Sequence, residues 1–337
     1  MKYNCVILTI DETCPRTPAG VPLMLQEVLF APALTWCMQA WMAQGAERFF
    51  VICPEADLAQ VEAAFPAGAV AAAGSADAAN AFAEGYDTLS LKGSFFPVGG
   101  ELKPVATVQE LLALQPAAAE EIAARHLAAG VSILSPATCC IDPRVTIAPG
   151  TVILPGTILQ GNTAIGSGCR IGPNSLIADS VIGDGTEVNA SQVYSSTTGK
   201  DVPVGPYAHV RPKCQIGDKC KVGAFVEIKN ARFGTGTKMA HLTSVGDAEV
   251  GSKVNFGCGT ITSNYDGFTK SKAIIGDNVF VGCNTNLVSP VTVGDGAYIA
   301  AGTTVTRNVE PDALAIGRVR QEQKAGWAKK RRDMHKK

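Results

Sequence analysis

Histidine is scarce in this sequence: 337 residues hold only four, His126, His209, His241 and His335. That leaves little room for a histidine-rich metal centre. An excess of either charge is also lacking. The formal net charge of −1 argues against a general nucleic-acid or membrane-surface binder. There is no apolar run of about 18 residues and no charged-then-apolar N-terminal signal. The 11 cysteines fall into no paired C-x-x-C spacing, so no structural zinc site is expected. Cysteines without a secretory signal suggest a reducing, cytoplasmic setting rather than a disulfide framework.

What is present falls into two rhythms, and the length suffices for two domains with sizeable cores. The first part reads as α/β. Cys5-Val6-Ile7-Leu8-Thr9-Ile10 suits a buried parallel strand, residues 29–44 suit a helix, and Phe49-Phe50-Val51-Ile52 suits the next strand. An alanine-rich stretch from Ala67 to Ala83 carries little pattern. Thr107 to Ala129 reads as a helix broken near Pro116 and stopped at Gly130. The C-terminal Ala328 to Lys337 is basic and reads as a solvated tail.

From Ile141 onward the period is six. Ile141, Ile147, Ile153, Leu159, Ile165 and Ile171 open successive beats, and Ile182 and Val188 continue them. Tyr194 to Gln215 reads as an irregular connection. The beats then resume at Ile216, Val222, Ile228, Phe233, Met239, Val245, Val250 and Phe256, and close with Ile275, Val281, Leu287, Val293, Ile299 and Val305. Such a repeat marks a parallel β-helix in which three beats make one triangular coil. The first residue of each beat faces inward. The fifth is small or β-branched (Cys169, Cys220, Val226, Val254, Thr260, Val279, Thr285, Ala297) and is expected inward as well. Cys169 and Cys220 are therefore expected to serve the core rather than chemistry.

The third residue of a beat faces outward. Cys283 and Ala301 share that place, 301 − 283 = 18 residues apart. From Phe256 to Val281 the step is 25, or 18 + 7, so the Asn-Tyr-Asp-Gly segment between Thr262 and Ile274 reads as an insertion bulging from one coil. Cys258 then joins the column, and so does His241, one short step of 17 further back. Three small side chains leave a groove with an imidazole at its end beside an inserted loop. A lone surface histidine is ordinarily just hydrogen-bonded to backbone, but the column and the loop favour a general base. An imidazole's ordinary pKa of roughly 6.5 suits that task near neutrality. Nothing nearby activates the thiols of Cys258 and Cys283, which read as small groove-lining residues.

These residues resemble a known family. Arg211-Pro212, Val226-Glu227-Ile228-Lys229, His241-Leu242-Thr243, Gly246-Asp247-Ala248-Glu249, Gly259-Thr260-Ile261-Thr262 and Asn264-Tyr265-Asp266-Gly267 carry the likeness. So do Pro290-Val291-Thr292-Val293-Gly294 and Ala300 to Thr306. Residues from about 101 to 330 look like the acetyltransferase half of the GlmU family, bifunctional N-acetylglucosamine-1-phosphate uridyltransferases and glucosamine-1-phosphate N-acetyltransferases. The resemblance implies a left-handed β-helix that forms a homotrimer, with acetyl-CoA bound between subunits and no metal required for acetyl transfer. It places His241 at the general base, Arg211 and Lys229 at the sugar phosphate, and Asn255 at another sugar contact. Cys258, Asn264, Tyr265, Cys283, Ala301 and Arg318 match positions lining the acetyl-CoA site. Glu227 either orients His241 or is solvated or paired with a lysine. Ser244 stands where the family commonly has a tyrosine against the sugar phosphate, so the acceptor could be another amino sugar.

The first hundred residues depart further from that family. Its phosphate loop is glycine-rich and followed by a lysine. Here Asp11-Glu12-Thr13-Cys14-Pro15-Arg16 follows the first strand, and no lysine occurs between Lys2 and Lys92. The expected organisation is a degenerate nucleotidyltransferase-like, small Rossmann-like α/β domain over residues 1–100 and a linker helix over 101–130. A β-helix acetyltransferase domain over 131–327 and a basic tail over 328–337 complete it. A non-catalytic trimeric scaffold is the rival from a different class.

Overall fold

In the computed structural model, residues 3–66 and 68–335 are described. Ala67 of the alanine-rich stretch and the last two lysines of the tail lie outside the described residues. The N-terminal part is built on a four-stranded parallel sheet. Its order is Val70–Gly74, Arg48–Ile52, Cys5–Thr9, Thr88–Lys92. Cys5, Val6, Ile7 and Leu8 are all buried, as a continuous apolar run requires when both faces of a strand are covered.

The helix expected over 29–44 spans only Ala33–Ala43. Leu29 and Phe30 have positive φ (47° and 69°) and turn a short hairpin between Glu27–Val28 and Ala31–Pro32. Pro32 holds Ala31 extended, so the helix starts just after it. The weakly patterned alanine stretch yields the strand Val70–Gly74 and the helix Ala76–Phe82, whose first turn is capped by Ser75. The helix read over Thr107 to Ala129 is broken, into Val108–Ala113 and Gln115–Ala128, with Pro116 in the first turn of the second piece. Gly130, at φ +86°, follows that piece. The linker helix expected to begin at 101 does not, because Glu101–Pro104 is a strand paired antiparallel with Phe95–Val98. The basic C-terminus carries the helix Trp327–Met334, which buries none of its residues.

From Ser132 to Ala315 the chain winds as a left-handed parallel β-helix of hexapeptide repeats, with three ladders of short parallel strands. Every beat-opening residue from Ile141 to Val305 is buried, and so are the eight fifth-position residues. Burial pushes the Cys169 and Cys220 thiols up from their ordinary pKa. Tyr194 to Gln215, read from sequence as an irregular connection, continues the coil instead, through Thr197–Thr198, Pro203–Val204 and His209–Val210. The repeat is disguised there because an inward place is held by Thr198, whose hydroxyl accepts from the Gly183 N–H at 3.1 Å.

One apolar core runs from Val28, Trp36 and Phe96 through Leu111 and Ile122 into the coil as far as Val305. Arg144 ties the two parts by donating to the Phe30 carbonyl at 2.9 Å while pairing with the fully buried Asp142. His126 on the linker helix is buried, and its Nε2 has no partner among the described residues. Burial first, and the Arg125 cation second, lower its pKa to about 4. The unfolded chain therefore binds this proton more readily between about pH 6.5 and 4. Stability from neutral His126 is full above the unfolded pKa and falls with pH through that window, by on the order of 3 kcal/mol. Melting curves of wild type and His126→Leu should diverge in slope across that range. Parallel curves would contradict the assignment.

Candidate functional site

The column sits on one ladder of the coil. Met239 pairs with Phe256, Phe256 with Val281 and Val281 with Ile299. His241, Cys258, Cys283 and Ala301, two residues on in each case, therefore stack on successive coils, and the step of 17 at His241 costs no register. Ala224 pairs with His241 and extends the column one rung down. The insertion leaves the coil between Ile261–Ser263 and Ala273–Ile275. Coil pairing accordingly jumps 275 − 250 = 25 residues from Val250 to Ile275.

His241 ends the strand Lys238–His241 and is exposed. No described side chain hydrogen-bonds its ring; only its carbonyl is engaged, by the Thr243 hydroxyl at 3.0 Å. Leu242, at φ +48°, turns the corner directly after it. Cys258 is half-buried, while Cys283 and Ala301 are exposed. At the far end Arg318 folds back, its Nε donating to the Ala301 carbonyl at 2.9 Å. Phe280 and Tyr298 stack at 4.5 Å on the same side of the coil. This pair was not anticipated from sequence, although its spacing of one coil is a usable signal.

Around the corner, the next ladder places Glu227 beside Ser244 and Lys229 beside Gly246. Arg211, Glu227, Lys229, Ser244, Gly246, Thr262 and Asn264 line a cleft of about 90 Å³. The structure thus brings together four predicted residues: Arg211, Lys229, Ser244 and Asn264. Asn255 is not among them; it opens the strand Asn255–Phe256 on the histidine side of the corner. Tyr265 stands on the exposed loop with its hydroxyl donating to the Gly267 carbonyl. Glu227 is turned to Arg211, its carboxylate accepting at 2.8 Å, and not to the imidazole. Sequence spacing could not reveal that pair, which joins adjacent coils.

The end of the first strand is also occupied by ion pairs. Asp11 meets Lys92 at 2.6 Å and Arg16 meets Asp57 at 2.7 Å. Lys92, and then Thr13, hold the Asp11 carboxyl well below the usual carboxylate range. All eleven cysteines are free. Among the described residues no cluster of three or more His, Cys, Asp or Glu could hold a metal ion, and no helix is long and apolar enough to cross a membrane.

With coil and cleft in place, the class is defined by its repeats. The bacterial transferase hexapeptide family (six repeats) matches residues 144–179, 195–230 and 272–307. Beyond the repeat, this chain is similar to the bifunctional protein GlmU of Clostridium novyi, at 48% identity over 227 residues, covering 67% of this chain and 48% of that protein. GlmU of Clostridium acetobutylicum is 54% identical over 164 residues, covering 49% of this chain and 36% of its own. The chain thus spans about half the length of the GlmU proteins it resembles. Among solved structures, an Arabidopsis UDP-N-acetylglucosamine acyltransferase aligns with a TM-score of 0.36 and 16% identity, over 52% of this chain and 69% of that one.

Proposed function

We propose that this chain is a glucosamine-1-phosphate N-acetyltransferase supplying N-acetylglucosamine-1-phosphate for UDP-N-acetylglucosamine and cell-wall synthesis. Acetyl-CoA lies along the column of Cys258, Cys283 and Ala301, with Arg318 at its end and Asn264 and Tyr265 contributed by the loop. The sugar phosphate docks on Arg211 and Lys229, with Ser244 and Asn255 as further contacts. Guanidinium and ammonium groups suit a dianion. The acceptor nitrogen attacks the thioester carbonyl, forming the C–N bond as the C–S bond breaks. His241 takes the proton that the nitrogen loses, and the thiolate departs and is protonated. Three copies close around a three-fold axis, so that each groove lies between neighbours, in the cytoplasm and with no metal involved.

The observation that carries this reading is a single corner of the coil. On one side of Leu242-Thr243 stands an exposed imidazole in a column of small residues; on the other lies a cleft holding two cations and Ser244. Residues 1–100 act as a nucleotidyltransferase remnant without uridyltransferase activity. Asp11 and Glu12 directly after the first strand, with Asp11 paired to Lys92, support this, since they set acids where a triphosphate would lie.

Thiol release from acetyl-CoA, measured against a panel of amino sugars and their phosphates, tests the assignment. Glucosamine-1-phosphate is expected to give the highest kcat/KM, with no pyrophosphate released from UTP. Ser244 supports a second reading, because a tyrosine's aromatic body is missing from the cleft wall. Under that reading another amino sugar outperforms glucosamine-1-phosphate. No release with any acceptor would leave a trimeric scaffold.

A further inference from the structure

Directly beneath the inserted loop, three polar side chains occupy equivalent places on consecutive coils: Asn230, Asp247 and Asn264, each 17 residues apart. Asp247 is only 9% exposed and sits at φ +48°, a conformation that Asp tolerates better than most residues. No described cation pairs with it. Both of its oxygens are instead satisfied by amides: Oδ1 accepts from Asn230 Nδ2 and Oδ2 accepts from Asn264 Nδ2. A buried carboxylate with that arrangement is costly unless both bonds are made.

The arrangement has a directional consequence. An ionised carboxylate only accepts, so the amide of Asn264 must turn its NH2 group down onto Asp247. Its Oδ1 is then left over, and no described residue donates to it. Asn264 also lines the cleft with Arg211 and Lys229. It is the first residue of the loop, whose return is closed by the Ser271 N–H donating to the Asn264 carbonyl at 2.9 Å. Gly246 leaves the room this requires, because a Cβ there would stand 3.1 Å from Asn264 Nδ2.

We propose that Asp247 is a positioning residue: it clamps the root of the 264–272 loop and fixes Asn264 so that its side-chain Oδ1 faces the ligand. The cleft therefore holds an acceptor beside two cations and selects a ligand bearing an amine or amide N–H near an anionic group. This rests on the acyl-transfer reading above.

The test uses the full chain and two readouts, one of which is independent of activity. Asp247→Ala is expected to speed amide hydrogen exchange in peptides covering 264–272 while the coils below keep wild-type rates. It should raise the KM for acetyl-CoA or the amino sugar by about tenfold, the worth of a charge-assisted hydrogen bond, with the pH profile of kcat unmoved. Asp247→Asn can still accept from Asn264, with Asn230 flipped to accept in turn, and should stay within about threefold of wild type. Should Asp247→Ala fail to fold, Asn264→Ala is expected to reproduce the KM rise with the buried residue intact. Where both variants fold, adding Asp247→Ala to Asn264→Ala should cost no further KM. Loop exchange at the wild-type rate in Asp247→Ala overturns the clamp. So does a lowered melting temperature with both KM values unchanged, which would mark Asp247 as merely structural. If wild type transfers no acetyl group at all, the functional reading falls, and loop exchange alone decides the clamp.

Discussion

Replacing His241 with alanine lowers kcat for sugar-dependent acetyl transfer by roughly 10²- to 10⁴-fold, the usual contribution of a positioned general base. The amine must lose a proton as it attacks, and on this side of the corner the imidazole is an exposed base within the column. The coil should survive the change. His241 is exposed, its ring makes no hydrogen bond to a described side chain, and its carbonyl contact with Thr243 is kept by any residue. KM for both substrates should therefore hold within about threefold, since removing a group that acts in the transition state leaves ground-state binding in place. Steady-state kinetics on wild type and variant at matched assembly read this directly. A fall in kcat of less than about tenfold would remove His241 from the chemistry.

The second large effect falls on the phosphate side. Losing both Arg211 and Lys229 is expected to reduce kcat/KM for a phosphorylated acceptor by about 10²- to 10⁴-fold, because each charge-assisted hydrogen bond is worth about 1.5–3 kcal/mol. The same amino sugar without its phosphate should lose far less. The two single variants should differ. Lys229→Ala removes one cation, whereas Arg211→Ala also strips Glu227 of the partner that donates to it at 2.8 Å. The freed carboxylate then faces an incoming phosphate with like charge. Adding Glu227→Gln to Arg211→Ala should recover part of the loss, as coupled neighbours do. Equal losses for phosphorylated and unphosphorylated acceptors would show that these cations do not read the phosphate.

The coil was legible because its physics is periodic. An inward residue every sixth position cannot be moved without burying polar groups or exposing apolar ones, so Ile141 to Val305 announce themselves. The same rule failed at Thr198, where a hydroxyl with a backbone partner substitutes for an aliphatic side chain. The stacking of His241 on Cys258 followed from counting, and strand pairing shows that a step of 17 keeps the register. The start of the first helix was not legible, since a two-residue hairpin tip at Leu29-Phe30 looks apolar enough to be helix. The cleft was harder still. Arg211, Lys229, Ser244 and Asn264 meet because four coils stack their corners, and no local pattern encodes which corner. The Glu227–Arg211 pair and the Asp247 clamp are contacts between coils as well. An acid after Gly246 reads as an ordinary turn residue until the asparagines one coil below and above are aligned with it.

The most direct test follows the acetyl group itself. Wild-type protein would be incubated with carbon-labelled acetyl-CoA and glucosamine-1-phosphate, and the product examined by NMR for the atom that carries the label. An amide at the sugar's 2-nitrogen, formed in step with free thiol and absent with His241→Ala, is the predicted result. Label recovered as free acetate, on a sugar hydroxyl, or only as unreacted thioester would contradict the assignment of this corner of the coil to amino-sugar N-acetylation.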